Sequence, residues 1–165
     1  MTVSSNRVSA SSSQVVKSLY FAFIGVLLLL PFMQFQIFVG IFVNCLLFLS
    51  VNLFGKRRTI FLGMIPSLVA LVSGLLPLSV AFFPLIIILG NSILIFIFSR
   101  YNNIKGMILA ALGKFFSIFT AFVLISAFSS LFSLLATIVI LQLFTALTGG
   151  MLALFLRKKW SYFFK

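Results

Sequence analysis

The chain has no aspartate, no glutamate and no histidine, and only one cysteine, Cys45. Without carboxylates or imidazoles there is no metal site of ordinary type. A single cysteine makes no internal disulfide and holds no iron–sulfur cluster or structural zinc. Acid–base or nucleophilic chemistry would have to rest on Lys, Tyr, Ser or Cys45 alone, so the residues argue against an enzyme and call for no cofactor. Charge of any kind is scarce. Only 7% of the 165 residues are charged, and all twelve of these are Lys or Arg. No basic side chain can therefore find an acidic side chain within the protein.

Apolar sequence fills the chain instead. It is 63% hydrophobic, with a mean hydropathy of +1.34. Apolar runs of about 18–25 residues recur from Ser18 onward, the length that crosses a bilayer as a helix. The expected class is an all-α integral membrane protein of the plasma membrane, with almost no soluble part. The net charge of +12 does not point to nucleic acid. Its basic residues sit in short clusters between apolar runs, as topology signals do, and form no patch interleaved with aromatics.

Residues 1–17, MTVSSNRVSASSSQVVK, are polar and serine-rich and read as a disordered cytoplasmic tail. A signal peptide is the competing reading, but no small-residue cleavage site follows Leu30; the Ser/Arg content also leaves an organellar transit peptide open. The apolar region, 18–156, divides at Pro, Gly and basic clusters into six expected spans: 18–30, 37–54, 59–76, 80–99, 104–127 and 131–156. A basic tail, 157–165, follows. With the N-terminus in the cytoplasm, eleven of the twelve basic residues fall on the inner side, and the connections 31–36, 77–79 and 128–130 carry none. This is the positive-inside pattern, with both termini cytoplasmic; Tyr101, Trp160 and Tyr162 fall near the inner interface.

The twelfth cation, Lys114, lies inside the run GMILAALGKFFSIFTAF. At about 1.5 Å per residue it lies about ten residues deep, close to mid-membrane. Asn91, Gln142 and Asn44 reach similar depths in three other spans, and Ser67, after Pro66, is near the same layer. Gly106, Ala110, Gly113, Ser117 and Ala121 form a small-residue stripe that allows close helix approach, and Lys114 lies on its edge, facing the bundle. Gln142, Thr145, Ala146 and Gly149 share a face in the last span by the same spacing.

Asn and Gln in a bundle commonly only bond between helices, for about 0.6–2 kcal/mol. Lys114 is harder to explain in that way. Its side chain reaches about 6 Å and the inner interface is about 14 Å away, which leaves a neutral amine as the bland reading. An ionisable group within the membrane costs about 2.5–3.5 kcal/mol and by default suggests function, here an anionic or carbonyl-bearing ligand. The many aromatics would also permit stacking on a heterocycle. Gly113-Lys114 is no phosphate-binding loop, because Ile108 stands where its first Gly belongs and Phe115 where Ser or Thr is required. A channel would need a polar stripe through the bilayer, whereas this chain has one polar layer flanked by apolar sequence. A small structural or assembly membrane protein, whose polar layer only packs helices, is the further alternative.

The stretches VNCLLFLSVNLFG, GMIPSLVALVSGLLPL, PLIIILGNSILIF, GMILAALGKFF and QLFTALTGG, with P-S-L, L-G-N, K-F and Q-x-x-T-A-x-x-G-G in that order, are distinctive. Over about residues 18–156 the chain resembles a small substrate-binding S component of an energy-coupling factor (ECF) vitamin transporter. That resemblance implies capture of a small water-soluble nutrient, a vitamin or precursor. It also implies toppling within a complex of a transmembrane coupling subunit and two ATPases. Lys114, Asn91, Gln142, Asn44, Ser67 and Thr145 would then bind substrate. The connection PFMQFQ would be the gate, with Gln34 and Gln36 reaching the ligand. Small residues on the first helix dock the coupling subunit in this family, often as A-x-x-x-A; the counterpart here is Ser18, Ala22 and Gly25, a degenerate version.

Overall fold

A computed structural model describes residues 4–33, 35–74, 82–126 and 132–163. All regular structure among them is helical: α1 (Ser4–Leu29), α2 (Gln36–Val72), α3 (Phe83–Arg100), α4 (Ile104–Ser126) and α5 (Phe132–Phe163), with a 3-10 turn over Leu30–Phe32. Five stretches are long and apolar enough to cross a membrane: Gln14–Phe32, Gln36–Val72, Phe83–Arg100, Ile104–Leu124 and Thr137–Lys159. Large apolar side chains such as Phe21, Leu29, Phe61, Leu89, Phe116 and Phe155 face outward and exposed, a surface suited to hydrocarbon.

Two of the expected spans, 37–54 and 59–76, run together in the 37-residue α2. The helix is broken within, because Gly55 has φ 78° and ψ 169°. That conformation is essentially restricted to glycine, since a Cβ would clash with the backbone. The chain therefore changes direction at Gly55, and 36–54 and 56–72 are separate helical pieces. Helix α1 begins at Ser4, inside the stretch expected to be a disordered tail, and its apolar part starts at Gln14. Pro31 sets up the 3-10 turn that ends α1, where the Met33 N–H donates to the Leu30 carbonyl at 3.0 Å. Asn103 caps α4, its side-chain oxygen accepting from the Gly106 N–H at 2.8 Å. The connections 77–79 and 128–130, and Gln34, lie outside the described residues.

Helix α2 is the centre of the bundle and packs on α1, α3 and α5; α4 closes the ring between α3 and α5. Small residues make the approaches close. A Cβ added to Gly149 of α5 would fall 2.5 Å from the Ile41 carbonyl oxygen of α2. Among the described residues helix α1 packs chiefly on α2 and lies at the margin.

The core falls into two apolar clusters. The larger holds Leu47, Phe48, Leu62, Leu94, Phe98, Ala110, Ala111 and Ala146, with Phe48 and Phe98 edge to face at 4.7 Å. The smaller holds Phe83, Ile86, Ile118, Phe122 and Val139. Following α3, α4 and α5 along their lengths, the change from one cluster to the other falls at Asn91, at Lys114 and at Gln142–Thr145. Along α3, α4 and α5 a polar layer falls between the two clusters, while along the 3-10 turn and α2 the larger cluster continues past it through Leu30 and Val39.

Candidate functional site

Asn44, Ser67, Asn91, Lys114 and Thr145 are all buried, at 1–5% exposure. Each arrives on a different piece of helix: the two halves of α2, then α3, α4 and α5. Gly90 makes room for the lysine, since a Cβ there would stand 3.2 Å from Lys114 Cγ and 2.9 Å from Ile118 Cδ1. The amine therefore runs along α3 into the bundle.

The hydrogen bonds fix the orientation of the amides. Lys114 Nζ donates to Asn44 Oδ1 at 2.9 Å. Asn44 Nδ2 donates to the Gly40 carbonyl at 2.8 Å and to Thr145 Oγ1 at 3.3 Å. With both its donors engaged, the amide can offer Lys114 only its oxygen. Asn91 is oriented in the same manner. Its Nδ2 donates to the Gly63 carbonyl at 2.9 Å, which leaves Oδ1 buried and without a partner. Turning that amide over would set two oxygens against each other at Gly63.

These groups enclose a cavity of about 190 Å³. Its polar wall is Gln36, Asn44, Ser67, Asn91, Lys114 and Gln142; Pro31, Val39, Val43, Ala70 and Ile87 supply apolar wall. Pro31 and Gln36, on either side of the connection between α1 and α2, are part of its wall. No aromatic side chain lines it among the described residues, although the chain carries 23 Phe.

Six of the eight candidate binding residues therefore border one cavity: Lys114, Asn91, Gln142, Asn44, Ser67 and Gln36. Thr145 stands behind them, bonded to Asn44. Gln34 lies outside the described residues. The candidate docking residues lie elsewhere, on α1: Ser18 and Ala22 are exposed and Gly25 is partly so, with open space around it.

Sequence reading missed the backbone partners. Gly40 is four residues before Asn44, the spacing of a side-chain bond back along a helix, so it was legible in principle. The pairing of Asn91 with Gly63 was not, because it depends on how two helices are rotated against each other. A second polar cluster was also missed. At the far end of the bundle Arg157 Nη1 donates to Asn102 Oδ1 at 2.7 Å, Asn102 donates to Asn52, and Lys56 lies 4.7 Å from the centre of the Phe96 ring. A cleft of about 490 Å³ opens there between Asn52, Lys56, Arg100 and Asn102, all exposed.

The mid-bundle arrangement can hold an anion or carbonyl by Lys114 and a hydrogen-bond donor by Asn91, away from bulk water. It contains no group of three or more Cys, His or acidic residues for a metal among the described residues. No family model, no curated protein and no solved structure matches this chain.

Proposed function

We propose that the protein is a plasma-membrane substrate-binding subunit, an S component of an ATP-driven ECF-type importer for a small water-soluble nutrient. The observation that carries this reading is the cavity at the polar layer. Four helices converge there on a buried lysine that no acidic side chain can neutralise. A helix-packing role needs no cavity, and a channel needs polar groups beyond one layer. The apolar clusters on both sides support a closed site in place of a pore.

In this reading α2 crosses the membrane twice. A straight helix of 37 residues would be about 56 Å long, far beyond the hydrocarbon thickness of about 30 Å. The turn at Gly55, beside Lys56, Arg57 and Arg58, lies on the cytoplasmic side with both termini, giving six spans. The cavity wall at Pro31 and Gln36 then lies toward the outer side, where a nutrient arrives. The exposed margin of α1, with Ser18, Ala22 and Gly25, docks the coupling subunit, and two ATPases supply the energy this chain has no means to supply.

A packing-only layer has one observation in its favour, the complete bonding of the Asn44 amide by Gly40, Thr145 and Lys114. Native mass spectrometry of the tagged protein, extracted gently from its own membrane, separates the two. The importer reading expects a coupling subunit and ATPases in the spectrum. A bare chain, across repeated mild extractions, sinks it in favour of packing.

A further inference from the structure

Taking the mid-bundle cavity as a ligand site, the remaining question is what chemistry it accepts. We infer that its ligand is a small, non-aromatic carboxylate that also carries a hydroxyl or amide N–H donor. The inference rests on the binding role proposed above and names the substrate class of that same cavity.

Four observations lead to it. An ammonium carries three donors, and the one acceptor found for Lys114 among the described residues is Asn44 Oδ1. An anionic group meets the rest of that demand, and a chain with no acidic residue has no carboxylate to neutralise a cationic ligand beside Lys114. Asn91 supplies the second constraint. Its Oδ1 is buried, unpartnered and held in orientation by Gly63. A buried oxygen acceptor left without a donor is costly, so a ligand that donates to it is selected over one that does not. Size is the third. At about 190 Å³ the cavity is smaller than the roughly 300 Å³ at which drug-sized ligands begin. The last is shape: among the described residues the wall pairs aliphatic side chains with amides and presents no aromatic ring for stacking. A flat heterocycle, which the aromatic content of the chain invites, finds no stacking partner among them.

The test uses three probes on the full-length protein in detergent: 4-hydroxybutyrate, butyrate and nicotinate. Binding is followed by ligand-observed NMR. The hydroxyl donor is expected to tighten binding of 4-hydroxybutyrate at least tenfold over butyrate on the unmodified chain. Lys114→Gln should weaken both at least tenfold, and Asn91→Leu should erase the difference between them. Because the comparison of the two acids is made on the unmodified chain, it stands even where a variant folds poorly. Equal affinity for the two acids, tighter binding of nicotinate, or no binding of any probe overturns the inference. No partner protein enters this assay. Nicotinate binding would sink the inference and leave the importer reading standing. Discrimination between the acids by a chain that never associates with ATPases would do the reverse.

Discussion

Asn44 is the residue on which the polar layer turns. It binds Lys114 through its oxygen, and Gly40 and Thr145 through its nitrogen. Replacing it with leucine leaves the Lys114 amine buried without that acceptor, a loss of about 1–3 kcal/mol for an unsatisfied buried polar group. Removing both partners in Asn44→Leu/Lys114→Met takes away the orphaned amine together with its acceptor, which costs less than orphaning the amine alone. The expected outcome is strong non-additivity in thermal unfolding: the single Asn44→Leu falls steeply and the double variant recovers most of the loss. Additive losses would mean that the lysine draws no support from the amide. The sequence made the members of this layer legible, because depth follows from counting residues along each span. Their pairing was not legible, since nothing in a single sequence gives the rotation of one helix about its axis relative to the next.

At the scale of helices, glycines decide how closely the elements meet. Gly149→Ala drives a methyl against the Ile41 carbonyl and the Cys45 amide of α2, backbone atoms that cannot swing aside. Overpacking of this kind costs about 1–3 kcal/mol, read as a lower unfolding temperature. Gly25→Ala on α1 meets nothing within 4 Å and is expected to be neutral or to stabilise by about 0.5–1 kcal/mol through helix propensity. Gly55→Ala forces a Cβ into a glycine-only conformation and should cost about 1–3 kcal/mol. If Gly55→Ala unfolds at the wild-type temperature, the break in α2 is not held by that residue. The sequence signalled this break through Gly55-Lys56-Arg57-Arg58. It also marked the ends of α1 and α3 by Pro31 and Arg100. It did not indicate helix before Gln14, because serine-rich sequence carries no apolar face from which to read a period.

For the whole molecule the arrangement of charge makes a topological prediction. In a Cys45→Ala background, single cysteines at Arg58 and Lys105 should react with an impermeant maleimide from one side of the membrane, and Met33→Cys from the other. Labelling of all three from the same side would exclude a double crossing by α2. The same arrangement was partly legible, since basic clusters mark the ends of apolar runs. Their union at one end through Arg157, Asn102 and Asn52 was not, because polar residues at helix ends read as solvated loop.

That union has a further consequence. Lys56, Arg100, Lys105, Arg157 and Lys158 border clefts at one end of the bundle, in a chain that has no acidic side chain to offset them. The counter-ions for this excess positive charge must therefore come from the surroundings. In a bilayer these are acidic headgroups, each basic residue near the surface contributing about 1 kcal/mol of attraction. Its unfolding temperature should rise with the phosphatidylglycerol content of the vesicles that carry it and fall when a neutral detergent strips that lipid away. Purification that removes acidic lipid is then expected to lower the protein's stability even when every residue stays in place.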